Sequence, residues 1–112
     1  LHLQRMLESA LQATAYVHGL TRDSFLADRK TQQAVVLNLM VIGETVNRLH
    51  DDDPDLLARH AALPWNAMRG MRNRIAHGYF DIDMGVVWET LQRDLPPLIA
   101  QLSALRTAGD GV

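Results

Sequence analysis

Between residues 69 and 83 the sequence reads RGMRNRIAHGYFDID, which places Arg69, Arg72, Asn73, Arg74, His77 and Tyr79 within eleven positions. An imidazole moves protons near neutral pH and guanidinium groups hold anions, so these residue types suit acid–base and anion-binding chemistry. They equally suit a solvated helix end. A histidine near a helix C-terminus complements the dipole, and arginines near Asp81 and Asp83 form surface pairs worth little. Spacing adds one anomaly. At about 100° per residue, Trp65, Met68, Met71 and Ile75 share a face that should be buried, and Arg72 falls close to it. A cation there must snorkel, pair with a carboxylate or stand at an interface, because unpaired burial is costly.

Asn73 and His77 are four apart, so the amide is placed to orient the imidazole. Arg72 and His77 are five apart and diverge by about 140° on an ideal helix. Two routes would bring them to one target: a helix that loosens near Gly78, or a second copy of the chain. The second is favoured.

The elements that must carry these residues are helical. Leu3, Met6, Leu7, Ala10, Leu11 and Val17 form an apolar stripe on a helix running to about Gly19. After a polar joint, TRDSFLADRK, the positions Val35, Leu39, Ile42, Val46 and Leu49 predict a longer helix from about Asp28 to His50. In DDDPD, residues 51–55, clustered aspartates suit a hard cation. A calcium loop, however, needs glycine and glutamate where Leu56 and Ala62 stand. The simpler reading is that Asp53 caps a new helix with Pro54 in its first turn. A helical stretch starts at Pro64 and carries the arginines and His77. Asp81 or Asp83 caps the next helix, with Val87, Leu91 and Leu95, and Pro96 and Pro97 force a bend or restart before Leu98, Ile99, Leu102 and Leu105. With no strand-like alternation, the expectation is an all-α, up-and-down bundle of four to five helices. Residues 1–106 form its single domain, and 107–112 form a frayed tail.

Composition narrows the function classes. A chain of 112 residues, 47 % apolar and 21 % charged, suits one globular domain. The net charge of −2 excludes a protein coated in basic residues, so any nucleic-acid contact must come from a local patch. Without cysteine there are no disulfides and no thiolate chemistry, which fits a cytoplasmic location. The longest apolar run, AVVLNLMVIG, falls short of the roughly 20 residues of a membrane span. His2, His18, His50 and His60 show no metal-ligand spacing, and no metal or cofactor is expected.

Arg72-Asn73-Arg74-Ile75-Ala76-His77-Gly78-Tyr79 resembles the Arg-x4-His-x-Tyr signature of HepT-like toxins in the HEPN superfamily, small all-helical ribonucleases. The likeness extends to VIGETVNRL at 41–49, LPWNAMRGMRN, and YFDIDMGVVWETLQRDLPPL, so it covers about residues 28–98. One departure is Thr45, where an alanine often follows the Gly-Glu pair. The resemblance implies a homodimer whose two motif helices form a composite cleft, and a metal-independent endoribonuclease acting on RNA as the toxin of a toxin–antitoxin pair. His77 of each subunit would exchange protons with the 2′-OH and the leaving 5′-oxygen, and Arg72 would offset charge on the phosphate. Asn73 and Glu44 would support them, Glu44 by pairing with Arg72 or Arg74, while Arg69 and Arg74 would attract the RNA backbone. Tyr79 resembles the position to which a partner nucleotidyltransferase antitoxin transfers AMP, blocking the nuclease. The competing reading is a non-catalytic, nucleotide-binding adaptor for that nucleotidyltransferase, with His77 structural.

Overall fold

The computed structural model describes residues 1–108. These form α1 (His2–Tyr16), α2 (Arg22–Leu26), α3 (Arg29–Asp52), α4 (Pro54–Arg59), α5 (Trp65–Gly78), a 3-10 turn (Tyr79–Asp81), α6 (Met84–Arg93) and α7 (Leu95–Ala108). Five helices have ten or more residues, and these are the ones that apolar periodicity predicts. The two short ones bring the described total to seven. No strand occurs among the described residues, so the all-α expectation holds.

The bundle is organised around α1 and α3, which pack on each other. Helix α5 lies on the far side of α3, and α7 lies against α1. Leu3, Met6, Leu7, Ala10 and Ala13 form the buried stripe of α1. Leu11, expected in that stripe, is exposed, because a 3.6-residue period brings Ala13 inward after Ala10. All five apolar positions expected along α3 are buried. Its buried Asn38 and Thr45 cause no loss, since the Asn38 amide donates to the Ala34 carbonyl at 3.0 Å and the Thr45 hydroxyl to the Val41 carbonyl at 2.7 Å. Thr45 is therefore buried with its hydroxyl bonded within its own helix.

The segment TRDSFLADRK contains α2 instead of a plain joint. Thr21 and Ser24 form a reciprocal capping box, and Phe25 is fully buried, its ring 5.4 Å from that of Trp88 on α6. One buried aromatic in a polar stretch of five residues is too short a pattern for periodicity to register. Asp28 then caps α3 by accepting from the Thr31 amide and hydroxyl at 3.1 and 2.6 Å. These bonds hold the Asp28 carboxyl below its ordinary pKa, the side-chain bond to Thr31 contributing most.

Asp53 caps α4 by accepting from the Leu56 amide at 3.3 Å, with Pro54 in the first turn. The α4–α5 joint is pinned by Trp65, whose indole N–H donates to the carbonyls of Leu57 and His60 at 3.2 and 2.9 Å. Between the two candidates, Asp83 caps α6, accepting from the Gly85 amide at 2.8 Å, while Asp81 belongs to the 3-10 turn. Pro96 and Pro97 occupy the first turn of α7, where their missing N–H groups cost nothing, so the chain restarts after Asp94. Helix α7 continues through Ala108, past the expected start of the tail at 107, and residues 109–112 of that tail lie outside the described residues.

Candidate functional site at the α3–α5 crossing

Helix α5 is positioned by its buried face, Trp65, Met68, Met71 and Ile75, against α3. The two helices meet at Gly43. A Cβ built there would lie 2.2 Å from the Arg72 Cβ and 2.9 Å from the Met68 carbonyl oxygen, far inside ordinary contact. Only a residue without a side chain permits this approach, and the approach brings Glu44 beside Arg72.

The Arg72 Nε donates to Glu44 Oε1, and its Nη1 donates to the Asn73 Oδ1 at 3.2 Å. The side chains of Arg72 and Glu44 are 27 % and 41 % exposed, so the pair is neither buried nor fully solvated. The anomaly at Arg72 thus resolves into pairing: the cation near the apolar face is held by a carboxylate one helix away. One turn earlier, Arg69 Nε donates to the Asn47 Oδ1 at 2.9 Å. Of the three arginines on α5, two are tied toward α3. Arg74 is exposed and takes no partner among the described residues.

His77 lies on the opposite flank. Its exposed imidazole, with Arg74, Asp81 and Asp83, lines an open cavity of about 370 Å³ whose apolar wall is Met71, Ile82 and Val86, between the end of α5 and the start of α6. Asn73, expected beside His77, bonds to Arg72 instead. Helix α5 remains α-helical across both Arg72 and His77, ending at Gly78, so the two side chains stay about 140° apart. Glu44, Arg72, Asn73 and Arg69 therefore gather on the α3 side, and His77 and Arg74 on the α6 side.

Tyr79 opens the 3-10 turn, half-buried against the core, with its ring edge-on to that of Phe80 at 5.6 Å. Its hydroxyl forms no hydrogen bond among the described residues and is not among their buried, unpartnered polar atoms, so it reaches solvent. Two residues in contact with these groups, Asn47 with Arg69 and Phe80 with Tyr79, escape a reading of α5 alone. Asn47 has a legible signal, lying one turn beyond Gly43 on the same face of α3. Phe80 has none, because an isolated exposed phenylalanine has no periodic pattern. Among the described residues no group of three or more His, Asp or Glu is placed to hold a metal ion, and no helix is long and apolar enough to cross a membrane.

No solved structure matches the chain significantly. Among curated relatives, "Probable ribonuclease HepT" of Thermococcus cleftensis is 36 % identical over 104 residues, covering 89 % of this chain and 92 % of its own. A Methanocaldococcus jannaschii protein with a provisional RNase name is 31 % identical over 103 residues, covering 92 % and 83 %. A similarly named protein of Caldanaerobacter subterraneus is 28 % identical over 104 residues, covering 93 % and 90 %. The family model described as ribonuclease HepT-like matches residues 6–105, nearly the whole bundle and all of the Gly43, Arg72, His77 and Tyr79 arrangement. The chain belongs to the HepT-like ribonuclease family.

Proposed function

We propose that this protein is a toxin endoribonuclease that works as a homodimer in the cytoplasm, without a metal ion. One observation carries the reading. Arg72 and His77 leave a continuous α5 on different flanks, so one chain presents two halves of a site that do not converge. A second copy, with its α5 against the first, supplies the missing half. The phosphate would then meet an arginine and an imidazole from different chains.

In the reaction, one His77 takes the proton of the RNA 2′-OH as that oxygen attacks the adjacent phosphorus. The partner's His77 gives a proton to the departing 5′-oxygen, leaving a 2′,3′-cyclic phosphate and a free 5′-hydroxyl. An imidazole accepts a proton in its neutral form and donates one in its charged form, so the two copies can fill complementary roles. Arg72 offsets charge on the pentavalent phosphate, directed by Glu44 and Asn73. Arg69 and Arg74 draw the backbone in locally, which accommodates a polyanionic substrate on a chain of net charge −2.

Control is by AMP transfer to Tyr79 from a partner nucleotidyltransferase antitoxin. The free Tyr79 hydroxyl supports this, as does its place two residues after His77. AMP there would add bulk and negative charge beside the cleft, excluding the substrate phosphate. The Glu44 pairing of Arg72, which fixes that arginine away from His77, leaves one alternative, a non-catalytic, nucleotide-binding adaptor for the nucleotidyltransferase in which His77 is structural.

The deciding experiment compares wild-type protein carrying no AMP with His77→Ala on single-stranded RNA, with and without a chelator, between about pH 6 and 8. The nuclease reading requires wild-type cleavage that survives chelation and is lost in His77→Ala, with self-association unchanged. Intact RNA under all these conditions leaves the adaptor.

A further inference from the structure

Phe80 contributes almost nothing to the core. It is 92 % exposed, more than any other large apolar side chain among the described residues, and forgoes the burial that normally holds an aromatic in place. It is nevertheless held. Its ring meets that of Tyr79 at 85°, an edge-on contact, and Tyr79 is itself packed against the core. The 3-10 turn that carries Phe80 outward also places Asp81 in the wall of the cavity shared by Arg74 and His77.

We propose that Phe80 is a base-stacking residue, whose open face receives one unpaired nucleobase of single-stranded RNA next to the phosphate addressed by Arg74 and His77. This rests on the ribonuclease reading above and adds to it how the substrate is gripped. Recognition of single strands combines a cation for the backbone with an aromatic face for a base, since every base has a π-face whatever its sequence. Both are present within seven residues: Arg74 without a partner among the described residues, and Phe80 exposed and outside the core. A carboxylate completes the orientation. Asp81, next to Phe80 in the 3-10 turn, accepts N–H groups from a base edge, while Arg74 and His77 on α5 take the phosphate, so the strand turns its bases toward the 3-10 turn. A duplex, with its bases already stacked, offers Phe80 nothing.

The test uses a 2′-O-methyl oligonucleotide containing 2-aminopurine, which cannot be cleaved by 2′-OH attack and whose fluorescence is quenched by stacking. Wild-type protein should quench it on binding. Phe80→Ala should bind about tenfold more weakly and lose the quench, while Phe80→Trp keeps both. An oligonucleotide that wild type does not bind, or that Phe80→Ala binds and quenches like wild type, overturns the proposal. So does a Phe80→Ala variant whose main change, by sedimentation, is in self-association, which would make Phe80 a contact between copies. Quenching by a wild-type protein that cleaves no RNA sustains the stacking role and overturns the nuclease reading instead.

Discussion

Gly43→Ala isolates the contact on which the candidate site depends. In an exposed helix interior this substitution stabilises by about 1 kcal/mol, because alanine loses less backbone freedom on folding. At Gly43 the new Cβ would sit 2.2 Å from the Arg72 Cβ and 2.9 Å from the Met68 carbonyl oxygen, where ordinary contact begins at 3.4 Å. Neither neighbour is the mobile end of a side chain, so no rotamer change relieves the overlap, and α3 and α5 must separate by about 1 Å. Overpacking of this kind costs about 1–3 kcal/mol, and the upper half applies where backbone must move. After the helix gain is subtracted, the expected net loss is about 1–2 kcal/mol, or roughly 4–8 °C in Tm. Gly70 lies within α5, and a Cβ added there would meet nothing inside 4 Å, so Gly70→Ala should instead gain about 0.5–1 kcal/mol. Urea unfolding followed by circular dichroism, at one fixed protein concentration, reads both signs. RNA cleavage by Gly43→Ala should fall further than stability does, because separating the helices draws Glu44 from Arg72. A Gly43→Ala protein as stable as wild type would refute the close-crossing argument.

Three further outcomes follow from the same geometry. Glu44→Ala should cost only about 0.5–1 kcal/mol in thermal unfolding, since the pair is partly solvent-screened, yet lower kcat for RNA with KM little changed, and Glu44→Gln should recover part of kcat. Trp65→Phe removes the indole donor from the Leu57 and His60 carbonyls and should cost about 1 kcal/mol, with hydrogen exchange accelerating first at the α4–α5 joint. The Asp28 carboxyl titrates below its ordinary value when folded, so its contribution is present above the unfolded pKa and disappears as pH falls through the folded one. Asp28→Asn should therefore lose less Tm than wild type on acidification from neutral pH, and parallel acid limbs for the two proteins would contradict the capping account.

How much of this was legible in the sequence depended on the range of the interaction. The long helices were readable because periodic burial repeats a signal, as the five inward positions of α3 do. The caps at Asp53 and Asp83 were readable because they are local, each bonding an amide no more than three residues ahead. Helix α2 was hidden because its anchor is one residue, Phe25, whose partner Trp88 is far along the chain. The same limit applied to the site. Spacing flagged Arg72 as misplaced, and Glu44 was among its possible partners, but no pattern on α5 alone could choose Glu44 over solvent. It also paired Asn73 with His77 by helical adjacency, whereas Arg72, one residue away, takes that amide.

The distribution of charge links these observations to the proposed twofold site. Helix α5 carries Arg69, Arg72 and Arg74 and no acidic residue, which suggests a strongly cationic surface. Helix α3 removes most of that freedom, since Glu44 neutralises Arg72 and Asn47 fixes the direction of Arg69. Arg69 keeps its charge beside a neutral amide and Arg74 takes no partner among the described residues, so two α5 cations remain to attract a phosphate at long range and a single α5 offers a polyanion only a modest grip. In the proposed dimer a twin chain would double the cations and supply the opposing imidazole, and the proposed aromatic face beside them would add affinity that carries no charge. A guanidinium already held by a carboxylate is also pre-aimed and would lose little freedom when a phosphate arrives, so in the proposed reaction the pairing that weakens Arg72 as an attractor would suit it to stabilising charge that develops only in the transition state.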